Sequence, residues 1–152
     1  MLKIDVIAAG RLRTGPYFEL SQEYMKRIKW SLSVYEIESK LKDAKAVQME
    51  EAKKIKEYLK DTAFIVVMDE RGSGLRSLDF AQTLQNLQNS GESHMQFIIG
   101  GADGLTEEIR NSANLLLSFG QQTWPHLLAR VMLLEQIYRA QQILIGHPYH
   151  RE

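Results

Sequence analysis

The sequence contains no cysteine, which excludes disulfide bonds and thiolate metal sites and fits a reducing compartment. No apolar run approaches the roughly eighteen residues that a membrane-spanning helix requires. Charged side chains interrupt the apolar stretch at the N-terminus, a pattern that does not fit a secretory signal. We therefore expect a cytoplasmic protein with no membrane segment.

The sequence also lacks an excess of charge of either sign, with 19 basic and 19 acidic side chains. Proteins that grip nucleic acid nonspecifically usually carry a basic excess, because their affinity comes largely from phosphate neutralisation. Any such affinity must here come from a local patch. Basic side chains cluster after the first predicted strand, on the first predicted helix and near the C-terminus: Arg11 and Arg13; Lys26, Arg27 and Lys29; Arg130, Arg139 and Arg151.

Strand and helix patterns alternate along the chain. Short apolar runs predict strands, and apolar side chains three or four positions apart predict helices. The predicted strands are 2–9, 32–37, 64–68, 97–99 and 115–119. The predicted helices are 16–30, 43–59, a helix capped by Ser77 and ended by 90–91, a short helix capped by Thr106, and 127–145. The lysines and glutamates of 43–59 are expected to face outward, and Ile145 is expected on the core face of the last helix.

Five such units with apolar strands indicate an α/β fold: a mostly parallel sheet with helices on both faces. No linker or shift in composition divides the chain, so we predict one domain, residues 1–152. Ligands of such sheets bind beyond the carboxyl ends of the strands. Three unusual loops, 69–76, 100–105 and 119–126, leave the last three strands at that edge. We predict the functional site there.

The glycine-rich segment 100–104 stands where a nucleotide-binding loop would stand, between a strand and a helix. It lacks the G-x-G-x-x-G pattern and the later carboxylate of a dinucleotide site, and no Gly-Lys-Ser/Thr follows as in a phosphate-binding loop. No serine stands in the strand–G-x-S-x-G–helix context of a hydrolase. The segment is either a tight strand-to-helix turn or part of a site of another kind.

Two acidic residues and one histidine of these loops have both structural and functional interpretations. Asp69 and Glu70 follow a central strand and could be catalytic, or could pair with Arg71 and Arg76. His126 has a plain structural use in capping the last helix or packing against Trp124.

The C-terminal residues carry an unusual density of reactive side chains. A chain end is normally frayed and dispensable. Here His147, Tyr149, His150 and Arg151 follow an apolar helix directly, with a proline among them. The four histidines of the chain, with no cysteine to assist them, make a metal site improbable, and we predict none. We expect these terminal residues to belong to the functional site.

Several motifs, taken together, resemble those of the RlmH (YbeA-like) family, small bacterial methyltransferases of the SPOUT class. The resemblance covers the whole chain in order. The motifs are residues 68–72 (MDERG), 97–105 (FIIGGADGL), 123–126 (TWPH), 135–140 (EQIYRA) and 147–151 (HPYHR). The sequence departs from many relatives at Ser73, where they often carry lysine, and at Trp124, where they carry a smaller apolar residue.

The resemblance implies a C-terminal trefoil knot, an exception to the rule that protein chains are unknotted. It also implies a homodimer that uses S-adenosyl-L-methionine to methylate N3 of pseudouridine 1915 in 23S rRNA, with the assembled 70S ribosome as substrate. The implied cofactor-binding residues are Met68, Gly100, Phe119, Gly120, Gln121, Gln122, Thr123 and Trp124. The implied catalytic end of the site holds Tyr149 and Arg151.

The terminal residues suit the chemistry that the resemblance implies. Methyl transfer from a sulfonium needs no metal, but N3 of pseudouridine carries a proton that must be removed. Arg151 could stabilise developing negative charge, and Tyr149 or His150 could accept the proton. Two alternatives stay open: a SPOUT methyltransferase with another target, and a non-catalytic knotted module that binds ribosomes.

Overall fold

The computed structural model describes residues 1–151 and contains one five-stranded, fully parallel sheet in the order β2-β1-β4-β3-β5. The strands are β1 (Lys3–Ala9), β2 (Ser31–Ile37), β3 (Phe64–Gly74), β4 (His94–Ile99) and β5 (Leu115–Ser118). The helices are α1 (Pro16–Arg27), α2 (Ala44–Tyr58), α3 (Ser77–Asn89), α4 (Glu107–Asn111) and α5 (His126–Leu144). The predicted α/β fold, with its alternation of strands and helices, is confirmed.

Both faces of the sheet are buried, because successive residues of each strand point to opposite sides. Val6 and Phe97 pack with α1, α3 and α5 on one side, whereas their neighbours Ile7 and Ile98 pack with α2 and α4 on the other. The central strands are therefore apolar throughout rather than alternating. The prediction of helices on both faces is confirmed. Within residues 1–151, no helix is both long and apolar enough to span a bilayer.

Several predicted boundaries were wrong. Helix α1 ends at Arg27, not at residue 30, since Ile28 already has an extended backbone. Strand β3 continues through the segment 69–74 that was predicted to be a loop. Ser77 is the first residue of α3 rather than its cap, and its hydroxyl donates to Gln136 Oε1 at 2.7 Å. Ile145, predicted on the core face, is 68% exposed because it lies beyond the end of α5.

The extension of β3 makes a close crossing with β5. Leu117 pairs first with Met68 and again with Ser73, so the intervening residues leave the ladder. A Cβ atom at Gly72 would lie 2.5 Å from the carbonyl carbon of Leu116. Only glycine allows the two backbones to pass this closely.

A buried ion pair fixes the first half of α5 to the ends of β1 and β2. Arg130, 3% exposed, donates to Glu36 Oε2 at 2.6 Å and to the carbonyl oxygen of Gly10 at 3.0 Å. Burial disfavours the charged form of Glu36, but the hydrogen bonds from Arg130 and from the Leu12 N–H outweigh it, and the pKa of Glu36 is lowered. The start of α5 is thereby held at the carboxyl edge of the sheet.

Candidate active site

The extended part of β3 and the loops that follow β4 and β5 enclose a cleft, with a volume of about 650 Å³, at the carboxyl edge of the sheet. Its walls come from residues 68–71, from 99–105 and from the segment between β5 and α5. Of the predicted cofactor-binding residues, all but Gln121 line this cleft: Met68, Gly100, Phe119, Gly120, Gln122, Thr123 and Trp124. Gln121 is exposed and does not contribute to the lining.

The wall after Met68 is acidic and is held by local hydrogen bonds. Asp69 Oδ1 accepts from the backbone N–H of Arg71 at 2.8 Å, and the Arg71 guanidinium lies 3.3 Å from both carboxylate oxygens. The predicted pairing of Asp69 with Arg71 is thus confirmed. Glu70 instead accepts from the hydroxyl of Thr123 at 3.0 Å, which joins this wall to the loop that follows β5.

The wall made by residues 100–104 is a tight turn, as one of the two sequence interpretations proposed. The N–H of Gly104 donates to the carbonyl of Gly101 at 3.0 Å, and the φ of Gly104 is +79°, which favours glycine. A Cβ at Gly100 would lie 2.6 Å from Leu105 Cγ, so the backbone here packs directly on that side chain. The turn also lines the cleft, so the two interpretations are compatible.

The third wall, residues 119–124, is folded back on itself. The hydroxyl of Ser118 both donates to the carbonyl of Gly120, at 2.7 Å, and accepts from its N–H, at 3.0 Å. The indole N–H of Trp124 donates to the carbonyl of Phe119 at 3.2 Å, and the residue is 39% exposed. A Cβ atom at Gly120 would meet no protein atom within 4 Å, so this position leaves the space beside the cleft open.

His126 also lines the cleft, although sequence reasoning gave it only a structural use. It is the first residue of α5 and Pro125 is the N-cap, so the suggested capping role is wrong. Its Nε2 atom would lie 2.9 Å from a Cβ at Gly10, so the glycine that ends β1 makes room for the ring. Burial, and next the charge of Arg130, lower its pKa. The shift favours the neutral ring, which can donate one hydrogen bond and accept another.

The C-terminal residues pack on their own α5 and do not line the cleft. Tyr149 donates its phenolic hydrogen to Glu135 Oε2 at 2.8 Å, and its ring stands edge-on to that of Tyr138, with centroids 4.8 Å apart. The Arg139 guanidinium lies 4.8 Å from the centroid of the Tyr149 ring. Burial, and next the bond to Glu135, raise the pKa of Tyr149, so its phenol is a donor at neutral pH.

His150 is hydrogen-bonded to α5, whereas Arg151 is exposed to solvent. His150 Nδ1 lies 3.1 Å from Arg139 NH1. Because a guanidinium can only donate, Nδ1 must accept, and a neutral His150 then carries its proton on Nε2. That Nε2 atom is buried and has no hydrogen-bond partner within the described chain. Arg151 is exposed, and Glu152 lies outside the described residues.

A second cavity of about 430 Å³ lies between the cleft and Glu135. It shares Leu117, Phe119 and Gly120 with the cleft, and it is also lined by Glu135, the partner of Tyr149. Glu135 was not predicted as a site residue, because only the fold brings it to the C-terminal residues. Across residues 1–151, no three His, Asp or Glu side chains are grouped so that they could hold a metal ion.

Comparisons with known proteins agree with this architecture. A family model described as "Predicted SPOUT methyltransferase" matches residues 2–150. Proteins named ribosomal RNA large subunit methyltransferase H from Bradyrhizobium diazoefficiens and Zymomonas mobilis are 46% and 43% identical, and each alignment covers 99% of both chains. A probable methylase family protein from Haemophilus influenzae has a similar fold, with a TM-score of 0.59 at 11% identity, over 99% of this chain and 70% of that one.

Proposed function

The chain belongs to the SPOUT methyltransferase family, and from that premise we propose that it methylates N3 of pseudouridine 1915 in 23S rRNA, with S-adenosyl-L-methionine as donor. The observation that carries this proposal is the cleft enclosed by the extended part of β3 and the loops after β4 and β5. Full-length relatives named as methyltransferases of the large ribosomal RNA support the substrate class.

The lining of the cleft fits the proposed methyl donor. A volume of about 650 Å³ is in the range of small-molecule sites, which combine apolar walls with a few polar groups. Met68 and Trp124 supply apolar surface, and Gly120, with no protein atom in the place of its missing side chain, lets the backbone approach a ligand closely. We propose that these residues hold the donor, together with Phe119, Gln122 and Thr123; Gln121 would act only through its neighbours. When bound, the donor supplies a methyl group on a positively charged sulfonium.

We propose that the terminal residues remove the proton from N3 of the nucleobase and stabilise the negative charge that develops on it. Tyr149 is held as a donor by Glu135, so it can accept a proton only if the shared hydrogen first passes to that carboxylate. His150 can accept at Nδ1 once Arg139 releases that atom. The exposed guanidinium of Arg151 would stabilise negative charge that develops on the base.

Within one protomer these residues lie along α5 rather than over the cleft, so we propose that they act in a homodimer. Tyr138 and Arg139 would then bring the C-terminal residues of one protomer to the cleft of the other. Because the net charge is zero, a monomer should bind RNA weakly, and a dimer on the shaped surface of the assembled 70S ribosome would supply specificity. The single domain, the trefoil knot and the cytoplasmic location remain predictions; the close passage of Gly72 against Leu116 supports the knot.

The test is transfer of a labelled methyl group to ribosomes that lack the modification. The full chain should label 23S rRNA in ribosomes but not free RNA. A chain ending at Pro148 should lose at least about a hundredfold in rate, as expected when a catalytic acid or base is removed. Its affinity for the donor by calorimetry, and its thermal unfolding, should stay close to those of the full chain.

Each alternative has its own outcome in the same assay. Labelling of free RNA or protein in preference to ribosomes would indicate a different target. Ribosome binding without donor binding would indicate a non-catalytic module. If the truncated chain methylates at the full rate, the terminal residues have only a structural role.

A further inference from the structure

Two side chains of α2 reach the underside of the glycine-rich turn that lines the cleft. Gln48 and Glu51 are three positions apart and therefore lie on the same face of the helix. Gln48 Nε2 donates to the backbone carbonyl of Asp103. The carboxyl group of Glu51 lies against Gly101, where a Cβ atom would be 3.1 Å from Oε2, and the backbone N–H of Gly101 acts to lower the pKa of that group. The turn is thus contacted from α2 near both of its ends.

Glu51 is an exception to the pattern of its helix. All glutamates of this helix were predicted to face outward, and for Glu51 that prediction was wrong. Its side chain is only 6% exposed and lies next to the core residues Ala52 and Ile55. Burial, its largest influence, raises its pKa, and the charge of Asp103 adds to this. Its Oε1 atom is buried without a hydrogen-bond partner within residues 1–151. Burying a carboxyl group in this way is costly, and such local conflicts are typical of functional sites.

The packing at Gly101 shows what the buried carboxyl group contacts. A Cβ at Gly101 would lie 3.1 Å from Glu51 Oε2 and 3.4 Å from the Cβ of Ala9. The absence of a side chain therefore lets the turn settle onto the carboxyl group and the end of β1. All five residues of the turn line the cleft on its other side. The turn is held between α2 and the space where a ligand would bind.

We propose that Glu51 and Gln48 are positioning residues that hold residues 100–104 in the conformation that binds the methyl donor. The inference rests on the proposed function. A turn fixed before binding does not have to lose conformational freedom when the ligand enters, so affinity is gained without any direct contact. Neither side chain lines the cleft, so neither is expected to take part in the transfer itself.

The test compares the full-length variants Glu51→Ala, Gln48→Ala and Glu51→Gln with the matched control Glu50→Ala. Glu50 is the neighbour of Glu51, forms a partly exposed ion pair with Lys54 and does not line the cleft. In the ligand-free protein, amide hydrogen exchange at residues 100–105 should become faster in Glu51→Ala and Gln48→Ala but not in Glu50→Ala. Calorimetry with S-adenosyl-methionine should show a dissociation constant raised about tenfold by Glu51→Ala, while kcat at saturating donor stays within about twofold.

The conservative variant separates positioning from general packing. The amide oxygen of Glu51→Gln can still accept from the Gly101 N–H, so its dissociation constant should return to within about threefold of the unsubstituted value. Should Glu51→Ala fail to fold, Gln48→Ala still tests the proposal, because it removes a surface contact and not a core one. Gln48→Ala should also speed amide exchange and weaken donor binding, but by less than Glu51→Ala.

Three outcomes would overturn the proposal or its premise. Unchanged amide exchange and unchanged donor affinity in both alanine variants would show that α2 does not position the turn. An equal loss of affinity in Glu50→Ala would assign the effect to the helix as a whole. If the unsubstituted protein bound no S-adenosyl-methionine, the proposed function itself would fail, and amide exchange would separately report whether α2 restrains the turn.

Discussion

Replacing Arg130 by methionine should destabilise the protein strongly, whereas the same change at Arg13 should not. Both arginines pair with Glu36, at 2.6 Å and 3.1 Å respectively. They differ in exposure, since the side chain of Arg130 is 4% exposed and that of Arg13 is 68% exposed. One carboxylate thus offers a direct comparison of a buried and an exposed partner.

The magnitude follows from what each substitution leaves behind. Removing one partner of a buried ion pair costs about 3–5 kcal/mol, because the other charge is stranded in the interior. Arg130→Met also removes the donor to the carbonyl of Gly10. Arg13 remains close to Glu36 and compensates in part, so we expect a loss of about 3 kcal/mol in the free energy of unfolding. For Arg13→Met we expect less than about 1 kcal/mol, the usual value of an exposed pair.

The assay is urea-induced unfolding of each variant at pH 7, repeated down to pH 3. Folding lowers the pKa of Glu36 below its ordinary value of 4.5, so the charged carboxylate contributes its full stabilisation above about pH 4.5. This contribution is lost as the pH falls through the lowered pKa. The difference between the unsubstituted protein and Arg130→Met should therefore shrink in acid. The double variant Arg130→Met with Glu36→Gln should recover part of the loss, because no charge is then stranded.

The reasoning would be refuted if Arg130→Met unfolded within about 1 kcal/mol of the unsubstituted protein, or if Arg13→Met cost as much as Arg130→Met. A difference that stayed constant between pH 7 and pH 3 would show that Glu36 is not the group responsible.

Three further changes have separate physical reasons. Gly72→Ala should lower the free energy of unfolding by about 3 kcal/mol or more, because the new Cβ would lie 2.5 Å from the Leu116 backbone. Its control is Gly74→Ala, where a Cβ meets open space and the free energy of unfolding should change by less than about 0.5 kcal/mol. Asp43→Ala removes the side chain that caps α2 and should cost about 1 kcal/mol in the same urea assay. Trp124→Phe loses its indole N–H bond and should weaken donor binding about fivefold by calorimetry. Equal losses of stability in Gly72→Ala and Gly74→Ala would contradict the first argument, and an unchanged stability of Asp43→Ala would contradict the second. Unchanged donor affinity in Trp124→Phe would contradict the third.

Much of the fold could be predicted because local sequence and tertiary environment agree. Val66 and Val67 are adjacent, β-branched and both buried, as a strand covered on two faces requires. The edge at which the three unusual loops meet follows from the parallel arrangement alone. Boundaries failed where tertiary contacts override local preference: β3 continues past Met68 because β5 offers it a second pairing at Ser73.

The site was predictable to the extent that its residues are next to one another in sequence. Phe119 and Trp124, both predicted as cofactor-binding residues, line the cleft from one segment, in which the indole N–H of Trp124 donates to the carbonyl of Phe119. His126 was assigned only a structural use, because no local pattern shows that Gly10 leaves room for its ring. The sequence pattern predicted Glu51 on the outer face of α2, because nothing near it in the sequence indicates that the turn at residues 100–104 will cover it.

The sequence by itself determined the order of strands and helices, the apolar character of the sheet and the edge at which the cleft lies, because these depend on periodicity and on residues close along the chain. Only the tertiary structure decided which distant side chains meet. It placed Arg130 against Glu36, Glu51 under Gly101 and Tyr149 on Glu135. Such contacts depend on how helices pack on the sheet, and packing geometry is a property of the whole chain rather than of any segment.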